Sequence, residues 1–294
     1  MSVVEPDASW LRALEQGRAF VDLSRYRTIS VAGADAIGWL HDLLTADIDG
    51  LEPGEACRSL LLTPTGRIRA DVHVARRAKD VILMQPPDQP DDVGLALRSY
   101  VLSSDVSVED RSDELALFAL PGAAASLLDV ADATSPSAIG PGSDVLVPAG
   151  DAASAFARAC VGAGLVEAGP DALEAWRILR GTPRMGSDFG EGSLPAEAGL
   201  DDLIDSDKGC FLGQESIARV RNLGHPARLL RHLTASGSAR PGDPVFASGS
   251  VAGEVTSATG NGEVVVIARV SWDAARAPLT FADGRTLNAV PRSV

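Results

Sequence analysis

The chain has 294 residues, 45% of them hydrophobic, which allows roughly two domains with ordinary cores. Its 26 Lys and Arg against 40 Asp and Glu give a net charge of -14, which repels a phosphate backbone and argues against broad nucleic-acid binding. No stretch approaches the ~18 uninterrupted apolar residues of a membrane span, and Met1 to Asp7 carries two acids and no Lys or Arg, unlike a secretory signal, so a soluble cytoplasmic protein is expected.

Thr28 to Val31 is a β-branched run broken by Gly33, and Ile37, Leu40, Leu43 and Leu44 then recur at helical spacing. After a Pro53-Gly54 turn, Leu60 to Leu62 and Ile68 to Val74 predict a hairpin about Pro64-Thr65-Gly66. In the second strand Ile68, Ala70, Val72 and Val74 alternate with Arg67, Arg69, Asp71 and His73, giving one apolar and one charged face. Asp71 is thereby expected to project toward solvent or a cavity. Val81 to Met84 predicts a strand, and Val93, Leu97, Tyr100 and Val101 mark a helix. Strands over Val106 to Val108, Leu115 to Leu120 and Val145 to Val147 and helices over Ala123 to Val130 and Ala152 to Val161 follow, with a flexible loop over Ala131 to Gly142. This mixed order predicts an α+β fold. From Arg228 onward, Val245-Phe246, Val251 to Thr259, Val264 to Val270 and Leu287 to Val290 alternate with glycine-rich turns, predicting a small antiparallel barrel over 227–294.

Cys57, Cys160 and Cys210 are odd in number and far apart, which fits a reducing compartment better than a disulfide framework. There is no C-x-x-C pair and no tight histidine spacing, so no metal site is expected. Two basic segments stand out, Arg67, Arg69, Arg76, Arg77 and Lys79, and Arg219, Arg221, Arg228 and Arg231. The plain reading of both is solvated arginines balanced by nearby acids.

The most informative stretch is Asp207 to Arg221, D-K-G-C-F-L-G-Q-E-S-I-A-R-V-R. Gly209 and Gly213 permit a tight turn, and Gln214 to Arg221 has helical propensity with Gly224 as a stop. Cys210 is placed just before a helix N-terminus and beside Lys208, and both favour thiolate over thiol. The alternative is that a lone cysteine is inert packing. Cys57 and Cys160 have no charged or glycine-rich surroundings and read as packing.

Lys208-Gly209-Cys210-Phe211-Leu212-Gly213-Gln214-Glu215 resembles the K-G-C-[YF]-x-G-Q-E signature of the YgfZ-type folate-binding proteins, relatives of the glycine-cleavage T-protein. Val31 to Ile48, Leu62 to Val72, Arg177 to Asp188, Leu194 to Leu200 and Val251 to Ala258 resemble further segments of that family. The resemblance implies a T-protein-like ring of three subdomains, about 1–105 with 190–226, 106–189, and the barrel, the first two forming a folate-binding region over 1–226. It implies a tetrahydrofolate cofactor, whose polyglutamylated tail the basic segments would suit, with Asp71 near the folate nitrogens and Glu197 hydrogen-bonding the pterin ring. Cys210, Lys208 and Asp71 are then the candidate catalytic groups. Gly209, Gly213, Gln214, Glu215 and Arg219 would complete the cofactor site. Iron-sulfur client or assembly proteins are the implied partners. Phe211 replaces the commoner tyrosine and so lacks its hydroxyl donor. The alternatives are a folate-dependent aminomethyltransferase or demethylase, and a non-catalytic assembly factor.

Overall fold

The structure, a computed structural model, describes residues 8–122, 133–260 and 262–290. It comprises two compact units. One joins Ala8–Gly169 to Asp202–Gln214, and the other joins Pro170–Asp201 to the segment from Glu215 onward.

The first unit carries α1 (Ala8–Glu15), β1 (Ala19–Asp22), β2 (Arg27–Ala32), α2 (Ala36–Leu43), β3 (Ala56–Leu62), β4 (Ile68–Arg76), β5 (Val81–Gln85), α3 (Val93–Arg98) and β6 (Ser107–Asp110). It continues with β7 (Leu115–Pro121), β8 (Ala133–Thr134), β9 (Gly142–Pro148), α4 (Asp151–Gly162) and β10 (Val166–Glu167). One antiparallel sheet has the order β3-β4-β5-β2-β6, and a second has the order β10-β1-β7-β9-β8. The alternation in β4 drives the first core: Ala70, Val72 and Val74 pack with Ile29, Val31, Leu61 and Leu83 under Leu40 and Leu44 of the α2 segment. Each fully buried Val, Leu or Ile among these contributes roughly 1.5–3 kcal/mol. The second core gathers Phe20, Phe118, Val145 and Cys160, with the rings of Phe118 and Phe156 5.1 Å apart.

The hairpin about Pro64-Thr65-Gly66 forms as expected, closed by the Gly66 amide on Thr63 O. The outer edge of β3 is covered by the segment after α2: Thr45 N donates to Leu60 O, Leu60 N to Thr45 Oγ1 and Ala46 N to Ser59 Oγ. Helix α3 ends at Arg98, short of its predicted span, because Tyr100 and Val101 reach the core from a turn beyond the helix. The loop expected over Ala131 to Gly142 is corrected in its described part. Ala133–Thr134 pairs with β9, Ser135 exchanges backbone bonds with Gly54 and Ala56, and Ser137 is bonded to Asp144. The helix expected over Ala123 to Val130 lies outside the described residues.

The second unit contains α5 (Pro170–Leu179), most of α6 (Gln214–Leu223), and β11 (Arg228–Ser236), β12 (Pro244–Ala247), β13 (Ser250–Thr259), β14 (Glu263–Ser271), β15 (Leu279–Thr280) and β16 (Thr286–Ala289). These strands close into a barrel of order β11-β14-β13-β12-β15-β16. Leu233, Ala235, Val245, Val255, Val264, Val266, Val270 and Leu287 fill it. Helix α5 packs on β13 and β14 outside the barrel. The fold is thus mixed α+β with a closed antiparallel barrel at its C-terminal end.

Candidate functional site

The charged face of β4 lies on the side the alternation predicts, but it is covered. Asp71 is only 4% exposed and His73 5%, so the expectation that Asp71 faces solvent is corrected. The cover has two parts. Arg58 of β3, opposite His73 and diagonal to Asp71, clamps the carboxylate through Nε at 2.9 Å and Nη2 at 2.5 Å. The Gln89 side chain then acts as a missing neighbour strand, accepting from Asp71 N at 3.0 Å and donating to Asp71 O at 2.7 Å. A bidentate guanidinium of this kind fixes orientation as well as charge.

Below this pair, His73 Nε2 donates to Pro136 O at 2.8 Å and lies 4.0 Å from Asp144 Oδ2. Asp144 accepts from Ser137 Oγ at 2.6 Å and Ala138 N at 2.7 Å and is 2% exposed. Burial lowers His73 to about 4, the nearby Arg58 adding to it against the Pro136 hydrogen bond. Burial raises Asp144 to about 7 against its two hydrogen bonds. Both shifts follow from the cost of holding a charge away from water.

The Cys210 segment belongs to the same unit. Gly213 adopts φ +86, and a Cβ there would sit 2.6 Å from Thr63 O, so glycine is what lets the segment lie against the β3–β4 turn. Lys208 Nζ donates to His41 O at 2.5 Å, Leu44 O at 2.7 Å and Ala46 O at 2.8 Å, and stands 5.4 Å from the centre of the Phe211 ring. Phe211 is buried, whereas Gly209 and Cys210 are exposed. Helix α6 begins four residues after Cys210, with Gln214 half-buried and its amide on Phe211 O at 3.2 Å. Cys57 is half-buried, and burial followed by the charge of Asp47 pushes its thiol up to about 12; Cys160 is buried and raised to about 11. Cys210 is therefore the exposed thiol of the three.

Glu197, Glu215 and Arg219 belong to the second unit. Glu197 is half-exposed on a turn, with Oε2 accepting from Leu194 N at 3.0 Å, while Glu215 and Arg219 are exposed on α6. The Arg177 to Asp188 segment forms a buried network there. Asp188, with no exposed surface, takes Arg177 Nη1 at 2.7 Å and Arg184 N at 2.9 Å on Oδ2, and Thr256 Oγ1 at 2.6 Å and Ser257 Oγ at 2.7 Å on Oδ1. Arg177 also grips Glu174 through Nε and Nη2 at 2.8 and 2.6 Å.

In the first basic segment Arg69 pairs with Asp91 and Arg77 with Asp80, while Arg76 donates to Leu51 O. In the second, Arg231 donates to Ala275 O. Among the described residues no cluster of three or more His, Cys, Asp or Glu could hold a metal, and no helix is long and apolar enough to cross a membrane. The groups that sequence reasoning missed are Arg58, Gln89 and Asp144. Counting back through the hairpin turn would have placed Arg58 diagonal to Asp71, whereas Gln89 and Asp144 reach this face from loops and strands of the wider fold.

Residues 8–137 match the family model described as the GCVT N-terminal domain. An Arabidopsis thaliana protein named as a chloroplastic transferase is 29% identical over 86% of this chain, which spans 65% of that relative's length. The aminomethyltransferase of Thermosynechococcus vestitus is 26% identical over 84% of this chain and 74% of its own. The glycine cleavage system aminomethyltransferase T of Bartonella henselae shares the fold, with a TM-score of 0.79, 21% identity, and coverage of 96% of this chain and 88% of that one. The aminomethyltransferase of Streptomyces coelicolor is 30% identical over 80% of this chain and 73% of its own, and on that identity and coverage the chain belongs to the aminomethyltransferase family.

Proposed function

We propose that this protein binds tetrahydrofolate and uses the Cys210 thiol in assembling or repairing the iron-sulfur clusters of client proteins in the cytoplasm. The observation that carries the reading is the shape of the K-G-C-F-L-G-Q-E segment. Its lysine and phenylalanine are buried or bonded down and Gly213 is pressed on a turn, while Cys210 is left exposed. A thiol offered to solvent on a fixed loop suits thiol exchange or shared cluster ligation with a partner, since one cysteine cannot hold a cluster alone.

Membership of the aminomethyltransferase family supports the folate. Glu197, oriented by Leu194 N and half-exposed, fits a carboxylate that accepts from the amino and ring N–H groups of a pterin. Asp71 does not fit a group that exchanges protons with a folate nitrogen, because Arg58 holds both its oxygens. Bound folate would supply the one-carbon chemistry; Glu197 would orient it, and Asp71 would fix Arg58 beside the β4 face.

The test is the activity of four-iron enzymes in cells lacking the protein, complemented with wild type, Cys210→Ala or Asp71→Asn at matched expression. Restoration by wild type and Asp71→Asn but not by Cys210→Ala is expected. Equal restoration by all three would overturn the assignment of the thiol. The second reading, aminomethyl transfer, draws on the names of the relatives. Folate-dependent turnover of a methylamine donor, undiminished in Cys210→Ala and lost in Asp71→Asn, would establish it instead.

A further inference from the structure

We infer that Lys208 is a positioning residue, an ammonium strap that seats the Cys210 loop on the turn following α2 rather than a charge that activates the thiol. The inference rests on the reading of Cys210 as the working group. A helix leaves its last carbonyls without intrahelical partners. Here the carbonyls of α2 and the turn after it are taken up by the 205–212 loop: Lys208 Nζ bonds those of His41, Leu44 and Ala46, Leu212 N bonds that of Asp42 at 3.0 Å, and Asp205 N bonds that of Thr45 at 3.0 Å. The loop braces its own lysine from behind, since Asp205 Oδ1 accepts from Asp207 N at 2.8 Å and Lys208 N at 3.2 Å. On the far side of the cysteine, Gly213 sits too close to Thr63 O for any Cβ.

The electrostatics agree with the geometry. Asp42 on α2, Asp47 and Asp49 on the following turn and Asp205 on the loop all act on the ammonium, while His41 Nδ1 lies 3.2 Å from Asp47. Burial nonetheless wins and lowers the Lys208 pKa. The ammonium is thus held by three carbonyls and shares its charge with four carboxylates on the α2 side of the loop. Three convergent carbonyls also suit a tetrahedral ammonium and not a planar guanidinium.

The experiment is peptide-resolved alkylation of Cys210 by iodoacetamide across pH, with amide hydrogen exchange over 205–213, on the purified full chain as wild type, Lys208→Met and Lys208→Arg. Both variants are expected to speed exchange at Asp205 and Leu212 and to change the high-pH plateau rate of alkylation by at least about threefold. The pH midpoint should stay within about 0.3 of wild type. A midpoint raised by about one unit in Lys208→Met but retained in Lys208→Arg would overturn the inference in favour of charge support. Unchanged plateau and exchange would overturn it as well. If Lys208→Met does not fold, Gly213→Ala loosens the same loop with the lysine intact and should change the plateau at an unmoved midpoint; a shifted midpoint there would count against the inference. These readouts need no client protein, so the strap fails or holds independently of the iron-sulfur reading, which fails if Cys210→Ala complements.

Discussion

Two segments that stand out in the sequence end in opposite uses of charge. In the barrel unit, the Arg177 to Asp188 segment buries its ion pair and ties helix α5 to the hydroxyls of Thr256 and Ser257 on β13. In the sheet unit, the 205–213 loop ties down its lysine, presses Gly213 on the β3–β4 turn, and keeps its cysteine exposed. The first pattern is architecture throughout; the second is a scaffold that leaves a thiol exposed. A sequence motif therefore does not distinguish the two, because both look like runs of charged residues and glycines until their partners are known.

The contrast can be broken most strongly in the barrel unit. Asp188→Ala takes from the buried Arg177 guanidinium one of its two carboxylates, leaving Glu174, and deprives Ser257 Oγ of its acceptor, and should cost about 3–4 kcal/mol in chemical denaturation. Asp71→Asn also removes a carboxylate from an arginine, but the Arg58 side chain is 25% exposed and can regain water, so a smaller loss of about 1.5–3 kcal/mol is expected. A loss for Asp71→Asn as large as that for Asp188→Ala would mean that both pairs serve architecture alone. Gly213→Ala meets both the left-handed backbone and Thr63 O and should cost about 1–2 kcal/mol, with the loss concentrated in faster proteolysis or exchange of the 205–213 loop.

A pH-dependent effect sharpens the picture of the covered β4 face. His73 is lowered by folding, so alone it would make stability rise with pH between about 4 and 6.5; Asp144 is raised, so alone it would make stability fall between about 4 and 7. Unfolded, the pair holds one proton on His73 in the shared window; folded, it holds one on Asp144. The two slopes cancel. Wild type should show almost no contribution from the pair between about pH 4 and 6.5. Asp144→Asn should gain stability, relative to wild type, as pH rises through that window, and His73→Gln should lose it, each by up to about 1.4 kcal/mol per pH unit. Parallel pH profiles for the three proteins would sink this account.

Much of the fold was legible because binary patterning is local. The α2, β3, β4, β5, β7, β9, β13 and β14 segments carry their periodicity in their own residues. Helix α1, strand β1, helix α5 and strand β11 were not read as elements. For α5 a signal existed, proline at the first helical position followed by Asp171 and a run of good helix formers. Strand β11 is opened by Arg228 and carries Arg231 and His232, which mask its alternation. At the candidate site, the side of β4 that bears Asp71 could be read, but not its burial, since Gln89 arrives from a loop 18 residues on. The work of Lys208 was unreadable for the same reason: its acceptors lie more than 160 residues away.

The treatment of the sheet edge has a consequence for association. A strand with unpaired amides invites another chain to add to it. On the order β3-β4-β5-β2-β6, the β3 edge is occupied by the turn after α2 and by Ser135, so no extended peptide can extend the sheet there. The opposite edge, β6, presents exposed Glu109 and Asp110, and its Val108 carbonyl is taken by Arg98. Strand addition to this sheet, whether by a partner or by crowded copies of the chain, is therefore disfavoured at both edges.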